Sequence, residues 1–146
     1  IMRFEELQAG KIHKPGSFTL TQQEILDFAK AYDPQWFHTD LEAAATGPYN
    51  GLIASGWHTC SKAMRLVVDN FLKDSNSVGS PGLAYLKWPA PVRPGDVIDT
   101  VVTIKKARTS SSKPDVGILV CQWQAFNQDE VEVLDLEATI FFDLTL

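Results

Sequence analysis

The spacing of apolar residues changes about halfway along the chain. In "TQQEILDFAKAY", residues 21–32, Ile25, Leu26, Phe28, Ala29 and Tyr32 fall on one helical face. Thr21 with Glu24 three residues later is a reciprocal capping box, which predicts where this helix starts. Pro34 disfavours helical geometry at Asp33, which predicts that it stops at Tyr32. Thr39 and Glu42 in "TDLEAAAT" repeat the capping signal and predict a short helix closed by Gly47 and Pro48. Ser55 then N-caps a longer helix over residues 56–71. Its stripe of Trp57, Cys60, Met64, Val67 and Phe71, broadened by Leu66 and Val68, predicts substantial burial.

From there the pattern shortens toward alternation. "KDSNSVGSPG" reads as a loop and "LAYLKWPAPV" as extended until its prolines. The turn "PGD" at residues 94–96 leads into "VIDTVVTIKKA", rich in β-branched residues. The polar stretch "TSSSKPD" connects this to "VGILVCQWQAFN", and "QDE" turns into "VEVLDLEATIFFDL". Helices first and an antiparallel meander after predict an α+β fold, with the sheet wrapped around the one long helix. Neither a repeat nor a low-complexity stretch divides the chain, so residues 1–146 read as one domain. The outer strands invite pairing with a second copy.

Composition narrows the function classes. With 146 residues, 45% of them hydrophobic, the chain suits a single domain with its own core. The formal net charge of -5 argues against a nucleic-acid partner or a polybasic membrane contact. Cys60 and Cys121 lie far apart, with neither metal-knuckle nor disulfide-framework spacing, which points to a reducing compartment. No apolar run approaches the ~18 residues of a membrane span. Arg3, Glu5 and Glu6 interrupt any signal-peptide pattern, so a cytoplasmic location is expected. The opening Ile1 and Met2 are unusual for a native start.

The chemistry concentrates between the helices. Of three histidines, His13, His38 and His58, His38 is the best placed: Asp33 and His38 bracket the junction "DPQWFH" between two capped helices. A carboxylate and an imidazole sharing one water can activate it and move protons, and burial is expected to raise the aspartate pKa. Spacing alone equally allows Asp33 to be a local cap and His38 a histidine packed at a turn. In "ASGWH", the amides of Gly56 and Trp57 are among the unpaired donors at a helix start. With the helix dipole they can stabilise a developing oxyanion, and Gly56 allows close approach of a thioester carbonyl; the same residues also simply start a helix. Trp36, Phe37, Tyr49 and Trp57 can line an acyl pocket or serve as core. Lys62, Arg65, Lys87 and Arg93 can meet the phosphates of a carrier or be solvated surface charges.

Taken together, "FAKAYDPQWFHTDLEAAA", "NGLIASGWHT" and "YLKWPAPVRPGDVI" resemble the MaoC-like dehydratases, the R-specific enoyl-CoA hydratases with the hot-dog fold. The resemblance covers residues 28–98, and the β-rich remainder fits the fold less specifically. It implies that Asp33 and His38 are the catalytic pair that binds the water added to the enoyl double bond. Gly56 matches the glycine whose amide polarises the thioester carbonyl. The resemblance further implies hydration of a trans-2-enoyl thioester to an R-3-hydroxyacyl thioester, within a homodimer or higher even oligomer. It implies no metal and no organic cofactor; coenzyme A or acyl carrier protein belongs to the substrate. Where the family commonly has asparagine and proline, this chain has Gln35 and Trp36. That departure bears on the water and on the shape of the acyl pocket; Ser55 completes the set of candidate substrate-binding residues.

Two other readings share the fold. A hot-dog thioesterase uses a carboxylate on or beside the central helix, where this chain offers only Asp69 near the far end. A non-catalytic acyl-CoA-binding module has no need of an Asp/His pair.

Overall fold

The computed structural model describes residues 3–145, so the opening Ile1 and Met2 lie outside the described residues. Five strands form one antiparallel sheet in the order β1-β3-β4-β5-β2. They are β1 (Ile12–Thr19), β2 (Ser77–Lys87), β3 (Val97–Thr109), β4 (Val116–Phe126) and β5 (Glu132–Asp143). Along β4 every second residue is buried, putting Leu119, Cys121, Trp123 and Ala125 on the inner face. They join Ile98, Val102 and Ile104 of β3 and Leu134, Leu136 and Phe142 of β5 in one core.

The sheet wraps around helix α4 (Gly56–Val67), giving the hot-dog architecture. The face that α4 buries differs from the predicted stripe. Thr59, Ala63 and Val67, one turn apart, are the buried line, whereas Trp57 and Met64 are 58% and 43% exposed. The helix is therefore half-covered, because the sheet reaches only one side of it. After Val67 the chain continues as a π-helical turn, Val68–Leu72, which brings Phe71 into the core.

Before α4 come α1 (Gln22–Tyr32), α2 (Trp36–Thr39) and α3 (Leu41–Ala45). The capping box at α1 is present: Glu24 N–H donates to Thr21 Oγ1 at 3.1 Å, and Thr21 N–H donates to Glu24 Oε1 at 3.1 Å. The second helix start differs from the expected one. Asp40, not Thr39, caps α3 by accepting from Ala43 N–H at 3.0 Å. Thr39 belongs to α2, the one-turn helix absent from the prediction, and donates its hydroxyl to the Gln35 carbonyl.

Two strands depart from the expected pattern. Strand β1 escapes the periodicity because Pro15 and Gly16 sit in it. Its register slips by one residue between His13 and Gly16, a bulge that an edge strand tolerates. Strand β2 starts at Ser77, inside the stretch read as a loop. Gly79, Pro81 and Gly82 occupy its irregular outer half, which pairs on one side only, with β5. A slip between β4 and β5 matters for the site. Ala125 pairs with Leu134 and Phe126 with Glu132, which leaves Val133 unpaired in β5. Val133 and Leu134 are consequently both buried, and the bulge turns Val133 toward the cleft described below. Among the described residues no helix is long and apolar enough to cross a membrane.

Candidate active site

The junction between α1 and α3 is more constrained than a loop. Asp33 N–H closes the last turn of α1 on the Ala29 carbonyl at 2.8 Å. Gln35 N–H then bonds the Asp33 carbonyl at 2.8 Å across Pro34, a three-residue turn. His38 N–H returns to the Gln35 carbonyl at 2.9 Å, so α2 begins immediately. These bonds bring the two side chains together: His38 Nε2 stands 3.3 Å from Asp33 Oδ2.

Each partner is held from behind. His38 is buried, and its Nδ1 lies 2.7 Å from the Ile53 carbonyl oxygen. A carbonyl only accepts, so Nδ1 carries a hydrogen, and Nε2 is the ring atom turned toward Asp33. Ile53 N–H in turn bonds the Phe37 carbonyl at 3.2 Å, which ties the segment before α4 to α2. On the other side, Gln35 Nε2 donates to Asp33 Oδ1 at 2.7 Å.

That donor is the main reason why the Asp33 carboxyl lies below its ordinary value. Burial, the next largest influence, acts the other way, and the nearby Ser55 hydroxyl and the His38 ring add smaller lowering contributions. The Ser55 Oγ itself is buried without a hydrogen bond of normal geometry, so it contributes by proximity. The expectation that burial raises this pKa is thus overturned, because donors surround the carboxylate. Asp33 is an anion built to accept hydrogen bonds.

Asp33, Gln35, Phe37 and His38 open onto a cleft of about 530 Å³. The start of α4 borders the same cleft, where Gly56 and Trp57 line it together with Thr59. Neither the Gly56 nor the Trp57 N–H makes a hydrogen bond among the described residues, as expected for the first turn of a helix. Ala54 N–H bonds the Val92 carbonyl at 2.8 Å and anchors this start to the β2–β3 connection. Acceptors for a water and free helix-start donors therefore belong to residues that line one cleft.

The remaining candidates divide. Tyr49 lines the cleft, as do Phe37 and Trp57. Trp36 does not: its ring packs over Gly47, where an added Cβ would come within 2.7 Å of it, and meets Phe37 edge-on. Gln35 directs its amide at Asp33 rather than at open space. His58 leaves the cleft altogether and stacks flat on Phe28 of α1, centroids 4.4 Å apart. His13 packs against Phe71. Among the basic candidates, Arg65 pairs with Asp69 at 2.7 Å and Lys62 approaches Glu24 at 3.9 Å. Lys87 lies over the Tyr85 ring. The sequence reading missed two participants. Ile53 acts through its backbone carbonyl, which no side-chain pattern reveals. Trp88 lines the cleft from the β2–β3 connection, and only its place in "YLKWPAPV" pointed to it. Among the described residues no group of three or more His, Cys, Asp or Glu side chains could hold a metal ion.

Comparison with known proteins gives the family. The family model described as "MaoC like domain" matches residues 4–120, a span containing Asp33, His38 and Gly56. The uncharacterized protein YdeM of Bacillus subtilis is 28% identical over 139 residues, 95% of this chain and 97% of that protein. The 3-hydroxyacyl-thioester dehydratase Z of Mycobacterium tuberculosis is 37% identical over 87 residues, 58% of each chain. A crystal structure of a MaoC-like dehydratase from Rhodospirillum rubrum superposes with a TM-score of 0.88 at 35% identity, covering 95% of this chain and 94% of that one. These matches show that the chain belongs to the MaoC-like dehydratase family, and they support a dehydratase or hydratase role.

Proposed function

We propose that the protein reversibly hydrates a trans-2-enoyl thioester to an R-3-hydroxyacyl thioester. One observation carries this reading: His38 Nε2 and Asp33 Oδ2, 3.3 Å apart, line the same cleft as Gly56, whose N–H has no hydrogen-bond partner among the described residues. The R configuration rests on the family resemblance, and the thioester class has support in the name of dehydratase Z.

In the hydration direction, a water beside the pair that contacts both Asp33 and His38 finds two acceptors for its hydrogens. One proton passes to His38 Nε2 as the water oxygen bonds to C3 of the substrate. Electrons shift through C2 to the thioester oxygen, and that enolate is held by the Gly56 N–H with the Trp57 N–H and the helix dipole behind it. Asp33 stabilises the imidazolium that has formed. The imidazolium returns its proton to C2, the carbonyl re-forms, and the pair is restored. No metal or organic cofactor takes part in this scheme; coenzyme A or acyl carrier protein enters as the substrate's carrier.

The setting belongs to the proposal as well. An edge strand β2 free on one side, and an α4 face with Trp57 and Met64 exposed, support assembly into a homodimer or higher even oligomer. Two free cysteines are in keeping with a cytoplasmic location. The thioesterase reading loses ground because Asp69, beyond α4 in the π-helical turn, is engaged by Arg65. The test follows loss of enoyl ultraviolet absorbance from crotonyl-CoA while titrating free thiol in parallel. Consumption of the enoyl group without thiol release is expected. Thiol release would favour a thioesterase, and binding without consumption a non-catalytic module.

A further inference from the structure

The cleft has one wall that neither the catalytic pair nor the helix dipole explains. Trp88 follows the last residue of β2, and its indole lies against the Cα of Gly56. A Cβ built on Gly56 would stand 2.3, 2.5 and 2.7 Å from Trp88 Cε2, Cδ2 and Cζ2. The place a side chain would take beside the oxyanion amide is therefore already filled by an aromatic ring. The glycine is required by this tryptophan as much as by any ligand. Trp57 meets the same indole edge-on, centroids 5.3 Å apart and planes at 79°, and supports it from the helix side.

The wall is fixed. Trp88 precedes Pro89, which confines its backbone to extended geometry, and Pro91 restrains the segment again two residues later. Val92, buried, anchors the far end through the Ala54 hydrogen bond. Even so, 41% of the Trp88 surface is open and it lines the cleft, so the ring faces whatever occupies that space.

Position dictates which part of a substrate it meets. With the thioester oxygen on the Gly56 N–H and C3 near the Asp33/His38 water, C2 lies between them. A substituent on C2 lies beside C1, and so beside Gly56, whose Cβ position the Trp88 indole fills. Groups beyond C3 point away from Gly56. We infer that Trp88 is a specificity-determining residue that admits enoyl thioesters unbranched at C2 and rejects those carrying a C2 methyl. This inference rests on the hydratase reading, which sets the pose of the substrate; the binding arm of the test reads discrimination without turnover. It moves the selection of acyl shape from Trp36, which stands outside the cleft, to Trp88.

The experiment compares crotonyl-CoA with 2-methylcrotonyl-CoA as substrates, and butyryl-CoA with 2-methylbutanoyl-CoA as non-reacting ligands, for wild type, Trp88→Ala and Trp88→Leu. One methyl group against a filled wall is worth about 10- to 200-fold in kcat/KM. The wild type is expected to favour the unbranched substrate by that order, and Trp88→Ala to bring the ratio close to one. Trp88→Leu should fall between, and it keeps the test usable where the alanine variant folds poorly. The ligand pair should show the same loss of discrimination in Kd by calorimetry. A ratio unchanged in the variants, in kinetics and in binding alike, would overturn the inference. If no enoyl thioester is turned over but Kd discrimination is present and lost with Trp88, the wall stands and the hydratase reading falls.

Discussion

Placing an alanine at Gly56 gives a sharp physical test of how the site is built. The added methyl would sit 2.3–2.7 Å from three atoms of the Trp88 ring, whereas ordinary carbon contacts lie near ~3.5–4.0 Å. The indole must retreat by roughly 1 Å or more, and the backbone on either side of it resists. Overpacking of this kind costs about 1–3 kcal/mol. Helix propensity offsets up to about 1 kcal/mol, the preference for Ala over Gly in a helix interior, and less at a first-turn position. For a chain of this length each kcal/mol moves Tm by about 2–4 °C, so a drop of several degrees is expected for Gly56→Ala. The informative quantity is the coupling. In a Trp88→Ala background the same substitution should be neutral or slightly stabilising, giving a coupling of about 1 kcal/mol or more in the double-mutant cycle. Thermal melts of the four proteins measure it. Equal effects of Gly56→Ala in both backgrounds would refute the packing argument.

Two further predictions concern pH. Gln35→Leu removes the donor to Asp33 Oδ1 and lets that carboxyl rise toward its ordinary value of 3.8. A depressed carboxylate stabilises the fold above its unfolded pKa and loses that contribution as pH falls through its folded value. The variant should therefore be less stable by about 0.5–1.5 kcal/mol at neutral pH, with the gap closing well below pH 3.8; a gap independent of pH in urea melts would contradict this. His58 behaves in the opposite range. Burial, assisted by Lys62 and opposed by Glu24, pushes its pKa below 6.5. The unfolded chain binds the proton more readily, so the wild type should lose stability as pH drops below 6.5. His58→Phe, which keeps a ring on Phe28, should flatten part of that slope, leaving the share of His13, whose pKa burial and Lys11 also lower. An unchanged slope in denaturation midpoints would assign the pH dependence elsewhere.

How much of this was legible in the chain depends on the range of the forces involved. The start of α1 is a local event, a capping box spanning four residues, and Thr21 and Glu24 announce it. Asp33 and His38 were readable because Pro34 forces a junction between them. Cap identity was not: Thr39 and Asp40 are adjacent good caps, and the γ-turn at Pro34 decides between them by starting α2 early. Strand β1 was hidden because its Pro15 and Gly16 signal a break to any periodicity, while pairing with β3 absorbs them in a bulge. The half-open α4 could not be foreseen, since sequence shows an apolar stripe but not which part of it the sheet will cover. The Gly56–Trp88 contact joins residues 32 positions apart and leaves no local trace. The lowered Asp33 pKa likewise depends on where three side chains end up, which spacing alone does not state.

Turnover of crotonyl-CoA by wild type, Asp33→Asn and His38→Ala, followed by enoyl absorbance at saturating substrate, tests the central claim most directly. Loss of a positioned acid–base group lowers a rate by about 10²–10⁴-fold. Each variant should fall by that order in kcat while melting within a few degrees of the wild type. Full activity in either variant would contradict the assignment of the pair as the groups that activate water.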